Sequence, residues 1–482
     1  MTEQARDTPQ QSQQKTSLMF VNHASLLIKK GDRYLLTDPW HLRVGFGSWL
    51  PTFQQYVHPT YLAALGNKLS ILISHGHDDH CDDDMLRIFD KDIEIVTASF
   101  NAPSVLNRLK KLGFGNLKTA DSDRGTVLEN GFAVKSYVDP TRSLDDATYT
   151  IDTGSGFIIH CNDNWFEFAP EALSSIANDR AKYANRNIAF FSQTNSASGH
   201  PLSYTCFDDR QKLTILRSKV KGMVVQGMKN ADALGLDTFY SYAGFASIFV
   251  KEFPSYLDLG LVPTAKFIRD ELLDDAKSRE LLDRVNVRDF YPGDVLDLSD
   301  GEIAKAFISH ADYSDKQLKD ATVRYYDAYG IIDQCDTYKP PAPKAAFDQE
   351  RFLYFLDNLN KFVGRKIQDD AKFFETIVGK SLEIVVPDVN TTGTVVFGGD
   401  VHIGAHKNGL PNKRITVGSS LMSQVLNGDI LFENLYSGFE GQWERFPPDV
   451  YNRDIVMFVV MYSYVYQNRL AKTAPSLRAG ID

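Results

Sequence analysis

A chain of 482 residues with 43% hydrophobic and 12% aromatic content buries a large core and should form more than one structural unit. Its net charge of -10 and pI near 5.6 leave no basic footprint for a phosphate backbone, which argues against a nucleic-acid partner; a nucleotide or acidic sugar would need local Lys or Arg. Cys81, Cys161, Cys206 and Cys335 are widely spaced with no C-x-x-C pair, so a reducing cytoplasm is the expected setting.

Residues 1–16, rich in Gln, Thr and charge, read as a disordered start that is neither signal peptide nor anchor. A first unit is expected over 17–260. Residues 18–29 (LMFVNHASLLIK) and 33–37 (RYLLT) are β-rich runs separated by Lys30, Gly31 and Asp32, so the fold should open on a hairpin whose end is Asp38, Pro39 and Trp40.

The most informative stretch is 69–84, LSILISHGHDDHCDDD. Apolar, β-prone residues 69–73 run through Ser74 into His75, Gly76, His77, Asp78, Asp79 and His80, an H-x-H-x-D-H pattern of the kind a buried strand delivers onto a ligand loop. Residues two apart in an extended segment point the same way, so His75 and His77 can share one cation while Asp79 and His80, past the turn, reach a second. Gly76 lets the backbone pass close to the metals. Imidazole and carboxylate donors suit zinc, iron or manganese, and the lack of a thiolate pair argues against a closed structural zinc site; a solvated His/Asp turn is the alternative. Asp82, Asp83 and Asp84 fit the N-terminus of a short helix over 83–89. Cys81 fills the loop or tunes a metal.

Strand 93–98, amphipathic helix 103–112 and strand 131–137 continue a layered α/β pattern. After a Gly-Ser-Gly turn, strand 157–161 ends in Asn162, Asp163, Asn164 and Trp165, where Asp163 reads as a turn cap or a ligand; His160 is expected to face the opposite way from Cys161. Strand 188–193 leads to the small-residue loop 194–199, in which Ser196, Ser198 and then His200 are either binding groups or a connector. A long helix is expected over 209–229, and Tyr240, Tyr242 and Gly244 are candidates for a cleft wall. Residues 261–380 read as a mostly helical extension with a β excursion at 287–298 and a linker at 339–344 (KPPAPK). The last part, 381–482, alternates strands (382–386, 393–397) with helices (419–426, 449–469), and its apolar run 455–466 is too short for a bilayer. His402 and His406, with Asp400, share a face only in a helix, which Gly398, Gly399 and Gly404 oppose.

ISHGHDDH resembles the metal signature of the metallo-β-lactamase superfamily. Together with NHAS, DPW, the strand ending at Asp163, ASGHP, SYAGF, YPGDVLDL and LNGDILFENLYSGFEGQWERFPPDVYNRDI, it makes 18–466 resemble, in the same order, the metallo-β-lactamase-like part of CMP-N-acetylneuraminate hydroxylases. The resemblance implies an αββα sandwich, with a C-terminal α/β module similar to sterol-carrier proteins. It implies His75, His77, Asp79, His80 and a bridging Asp163 as ligands of one or two zinc or iron ions, Asp79 also orienting a metal-bound hydroxide, and His23 near the cleft. Two departures stand out. The Rieske centre of such hydroxylases needs Cys-x-His pairs, and no Cys here is followed two residues later by His. The third histidine of the first metal site is absent from 137–146, leaving Asp139, Asp145 or Asp146 to substitute, and His200 is the candidate for a further late histidine. The expected function is a metal-dependent hydrolase of a small phosphorylated, nucleotide-linked or acidic sugar. An iron-dependent oxygenase served by a separate electron donor is the alternative, and a non-catalytic binding protein the third reading.

Overall fold

The computed structural model of the protein describes residues 15–41, 44–53, 56–100, 103–138, 147–196, 198–250, 252–306, 313–332, 346–369, 375–450 and 452–478. Asp139, Asp145, Asp146, Cys335, residues 1–14 of the expected N-terminal tail and the 339–344 linker lie outside them, whereas Thr16, expected in that tail, is buried and opens the first strand.

The opening differs from the single strand expected over 18–29. Thr16–Asn22 and Ser25–Lys30 are antiparallel neighbours, with Phe20 opposite Leu26 and Asn22 opposite Ser25, and the chain reverses at His23 and Ala24. His23 takes a φ of 36°, a left-handed conformation that no Gly or Pro announces in the sequence. The turn at Gly31 (φ 58°) follows and leads into Arg33–Thr37.

That third strand pairs in parallel with Leu69–Leu72, which pairs with Glu94–Ala98 and that in turn with Leu117–Ala120. On the other flank Val295–Asp297 and Ile303–Ala304 complete an eight-stranded sheet. The second sheet has seven strands, in the order Asn286–Arg288, Thr238–Tyr242, Ile188–Gln193, Phe157–His160, Ala147–Asp152, Ala133–Val138 and Thr126–Val127. Strand alternation sorts the residues into layers. Leu72 and Val96 face Ile158, Phe191 and Tyr242 across the central core. Ile71 and Ile73 turn outward onto Met85, Val105 and Leu109 of helices Asp83–Arg87 and Ser104–Lys111. Ile159 and Phe190 turn outward onto Val220, Val224 and Met228 of helix Asp209–Ala233. The result is a four-layer α/β/β/α sandwich.

The sandwich does not stop at 260 as expected. Strands between 286 and 304 close both sheets because Val287, Leu296 and Leu298 fill their cores, and only the intervening and following segments are helical. Helix Gln349–Asp369, expected in the extension, buries Phe352, Phe355 and Leu359 against the C-terminal sheet instead. That sheet runs Val401–Ile403, Thr391–Val396, Ser381–Val386, Lys413–Thr416, Gln442–Arg445, backed by Ser419–Asn427, Phe432–Ser437 and Arg453–Arg478. His402 lies in the edge strand beside Asp400, so the His402/His406 segment is not the helix a shared ligand face requires. Among the described residues no helix is long and apolar enough to cross a membrane.

Candidate metal centre

Strand Leu69–Leu72 delivers the ligand loop into the space between the two sheets. The Tyr149 hydroxyl donates to the Ser74 carbonyl (2.9 Å) and accepts from the Ala98 amide (2.8 Å), tying the loop's root to both sheets. The loop then turns on itself, with the amides of His80 and Cys81 donating to the His77 carbonyl (3.1 and 2.7 Å). Arg108 clamps it from outside, donating to the Gly76 carbonyl (2.6 Å), Asp78 (2.9 Å) and Asp83 (2.7 Å). Asp82 caps helix Asp83–Arg87 by accepting from the amides of Asp84 and Met85. These acidic residues therefore have structural partners. Cys81 is buried, and burial pushes its thiol up to about 12, which leaves it a packing residue.

Inside the loop His75, Asp79 and His80 converge with Asp163, while His77 contacts His75 and joins neither of the triads these ligands form. His75 Nε2 lies 2.7 Å from His77 Nδ1. His80 Nε2 lies 3.5 Å from Asp79 Oδ2 and 3.3 Å from Asp163 Oδ1, and His23 Nε2 is 3.1 Å from Asp79 Oδ2. Among the described residues two triads bring ligand atoms within 4.8 Å of one another: His23, Asp79 and His80, and His75, His80 and Asp163. Asp79 Oδ1 is buried without a hydrogen-bond partner, and His80 Nε2 and Asp163 Oδ1 face each other at 3.3 Å without hydrogen-bond geometry, a costly arrangement unless something else satisfies them. Donors about 2.0–2.1 Å from a tetrahedral metal stand about 3.3 Å apart, so the spacing of these atoms fits a cation shared between them.

The electrostatics agree. Burial, with His80 and His77 adding to it, holds the His75 imidazole well below its ordinary range. For His80 burial acts the same way but is outweighed by the carboxylates of Asp79, Asp163 and Asp38, which push it well above its ordinary range. Burial would raise Asp79, yet His80 and His23 hold it well below the carboxylate range. The buried carboxylates of Asp79 and Asp163 thus favour positive charge at the point they share with His80, the charge a metal cation would bring.

Behind the triads stands Asp38, left-handed at φ 37° and fully buried. Its Oδ1 accepts from the Ser74 amide (2.7 Å), its Oδ2 from the Ser74 hydroxyl (2.7 Å), and Oδ2 lies 2.9 Å from His80 Nδ1. This carboxylate fixes the outer nitrogen of His80 and leaves Nε2 facing inward. His160 does face away from Cys161, and that direction is inward: its Nε2 is 3.7 Å from Asp38 Oδ2, and burial pushes it down to about 4. Asp163 is turned inward by the left-handed Asn162 (φ 41°), whose side-chain carbonyl accepts from the Asp163 amide.

His200 is placed elsewhere, against Tyr204, Phe207 and Arg445, with a carbonyl that accepts from Lys219; burial and these cations push its ring down to about 2. The histidine that joins Asp79 and His80 is His23, from the unforeseen hairpin turn. Tyr240 and Tyr242 do not line a cleft: both are buried between the sheets, Tyr242 3.3 Å from His160. Beside His23 a small pocket is walled by Trp49, Leu261 and Phe439 and edged by Asn195, Ser196 and Ser198, with Gly244 in its lining. None of its described lining residues carries a formal charge apart from what His23 holds.

Residues 17–186 match the family model described as Beta-lactamase superfamily domain. The α/β/β/α sandwich built on this segment is a metallo-β-lactamase-type fold. Over 109 residues the chain is 36% identical to a protein of Mycolicibacterium smegmatis provisionally named as a Rieske 2Fe-2S iron-sulfur protein, a match covering 22% of this chain and 21% of that one. A similarly named protein of Mycobacterium tuberculosis is 36% identical over 104 residues, 21% of this chain and 20% of its own length. The chain thus spans about a fifth of the length of the curated relatives it matches. Among solved structures, isothiocyanate hydrolase from Delia radicum gut bacteria is 15% identical with a TM-score of 0.35, covering 60% of this chain and 98% of its own. CmlA, a diiron β-hydroxylase from Streptomyces venezuelae, is 15% identical with a TM-score of 0.34, covering 59% and 54%.

Sequence reasoning gave no role to Asp38, which lies 2.9 Å from His80 Nδ1, to His160, 3.7 Å from Asp38, or to Glu433, 3.3 Å from His77 Nε2. Asp38 had one signal, its place at the end of a strand next to the one that carries the loop.

Proposed function

We propose that the protein is a metal-dependent hydrolase that holds one or two zinc or iron ions between His75, His77, Asp79, His80 and Asp163 and acts on a small phosphorylated, nucleotide-linked or acidic sugar-like substrate. The observation that supports this reading is the convergence of buried His23, Asp79 and His80, and of buried His75, His80 and Asp163, in two triads whose ligand atoms lie within 4.8 Å of one another. When bound, a divalent metal supplies Lewis-acid polarisation of the scissile bond and acidifies water. The chain's own residues do the rest. Asp79 Oδ2 lies 3.1 Å from His23 Nε2, which leaves Asp79 Oδ1 to orient attacking water. Asn195, Ser196 and Ser198 suit the hydroxyls of a sugar, and the rings of Trp49 and Phe439 suit its C–H face. With no cationic side chain among the pocket's described residues, the substrate's anionic group belongs at the metals. The same reading gives the C-terminal module a sterol-carrier-like ancestry, supported by its five-stranded sheet under helices, and gives the chain a cytoplasmic setting, supported by its free cysteines. Turnover of phosphate esters of sugars and of nucleotide sugars without oxygen or reductant tests it. Activity is expected in wild type and lost in His77→Ala; an unchanged rate in that variant overturns the proposal.

A second reading, an iron-dependent oxygenase fed by a separate electron donor, draws on the 36% identity to proteins named for a Rieske centre and on the oxygen donors Asp79 and Asp163. It requires oxygen uptake that depends on both reductant and substrate. Iron-loaded protein that consumes none with any candidate sugar defeats it.

A further inference from the structure

We propose that Glu433, carried by the C-terminal module, is the positioning residue for His77: it takes the Nε2 proton and so aims the Nδ1 lone pair at the cation. The inference rests on the metal reading above and adds a residue from outside the segment that contains the ligand loop. Glu433 is buried in the short helix Phe432–Ser437. Its Oε1 lies 3.3 Å from His77 Nε2, and its Oε2 accepts from the Tyr464 hydroxyl at 2.7 Å. A neutral imidazole carries one proton, and whichever nitrogen donates leaves the other as the ligand. Here the far nitrogen, Nδ1, stands in a 2.7 Å hydrogen-bond contact with His75 Nε2, whose shared proton a cation would displace, while the Glu433 carboxylate faces the back of the His77 ring. That is the carboxylate–histidine–metal relay by which outer groups fix ring orientation and raise ligand basicity.

The contact is part of a continuous seam. The Phe46 ring packs on His77 with centroids 5.6 Å apart, and the Trp49 indole donates to the Ser437 carbonyl at 2.8 Å. Backbone approaches so closely at Gly438 that a Cβ there would lie 2.3 Å from the Phe46 carbonyl oxygen. Phe439, next along, walls the pocket beside His23. The segment from Glu433 to Phe439 therefore completes the site from the far module, and metal binding and docking of that module support each other.

The test uses the full chain and measures zinc affinity by competition with a chromophoric chelator, with circular dichroism as the check on folding. Glu433→Ala should weaken zinc binding by about 10- to 100-fold. Glu433→Gln, which still presents an acceptor to Nε2–H, should recover most of that loss, a rescue that a purely structural role would not require. Tyr464→Phe, which frees one carboxylate oxygen, should cost a few-fold. Folded Glu433→Ala with wild-type affinity overturns the proposal, as does Glu433→Gln that is no better than Ala. If Glu433→Ala does not fold, Tyr464→Phe decides alone: a few-fold loss supports the proposal and wild-type affinity overturns it. Wild-type protein that binds neither zinc nor iron overturns the metal reading itself, an outcome distinct from a metal-loaded wild type indifferent to Glu433.

Discussion

Replacing Asp38 by Asn isolates the support of His80 without removing any candidate ligand. The wild-type carboxylate receives three donors, the Ser74 amide and hydroxyl at 2.7 Å each and His80 Nδ1 at 2.9 Å. A backbone amide cannot reverse its role, so the Asn carbonyl oxygen must face the Ser74 amide. The Asn NH2 is then left pointing at His80 Nδ1, donor against donor. His80 escapes by moving its proton to Nε2, the atom that lies 3.5 Å from Asp79 and 3.3 Å from Asp163. In that tautomer His80 no longer offers a lone pair to a metal. Outer-group substitutions of this kind cost about 10- to 100-fold in metal affinity, or about 1.4–2.8 kcal/mol. Loss of the charge-assisted bonds removes about 1.5–3 kcal/mol of folding stability as well. Chelator competition on folded protein measures the first quantity and urea denaturation the second. Asp38→Asn that binds metal as tightly as wild type would refute the assignment of Asp38 to His80.

Four further outcomes follow from the same geometry. Gly438→Ala, whose Cβ would sit 2.3 Å from the backbone oxygens of both Asn434 and Phe46, should loosen the seam over His77 and expose residues 432–443 to limited proteolysis; a wild-type cleavage pattern contradicts this. Arg108→Lys cannot reproduce a fork that reaches the Gly76 carbonyl, Asp78 and Asp83 together, so it should weaken metal binding and lower stability by about 1–3 kcal/mol, whereas an unchanged denaturation curve would show the clamp to be dispensable. Burial pushes the Lys413 ammonium from 10.5 down to about 7, so between those values the unfolded chain holds the extra proton and stability should rise with pH by up to about 1.4 kcal/mol per unit. Urea titrations of wild type and Lys413→Met at pH 7, 8 and 9 test it, because the variant should lose that slope and an identical slope would refute the assignment. His200→Ala should retain the wild-type metal content, since His200 packs on Tyr204 and Phe207 beside Arg445; loss of metal from a folded variant would return it to the site.

The ligand loop was legible because its chemistry is local: an apolar strand, a glycine and four imidazole or carboxylate groups follow one another within a few residues. Asp163 was legible as a strand-end carboxylate. What escaped depends on tertiary placement. For His23, placed near the cleft by the family resemblance, it was the turn that escaped, since 18–29 is apolar enough to read as one run and the reversal at Asn22, His23, Ala24 and Ser25 has no glycine or proline to mark it. His200 stood at a plausible place in the chain but folds toward Arg445 and Phe207 of a different core. Asp38 and Glu433 lie some 40 and more than 350 residues from the histidines they face, and no periodicity connects such positions. The short strands 286–288 and 303–304 were hidden for another reason: two or three residues cannot establish a period, and they are fixed by the sheets they join.

The central claim is that the loop from His75 to His80 holds metal, and elemental analysis of chelator-free protein tests it most directly, wild type against the His75→Ala, His77→Ala double variant. The structure leads us to expect one or two zinc or iron ions per chain in wild type and their loss in the folded variant. Equal metal in both proteins, or none in wild type even after supplementation, would contradict it.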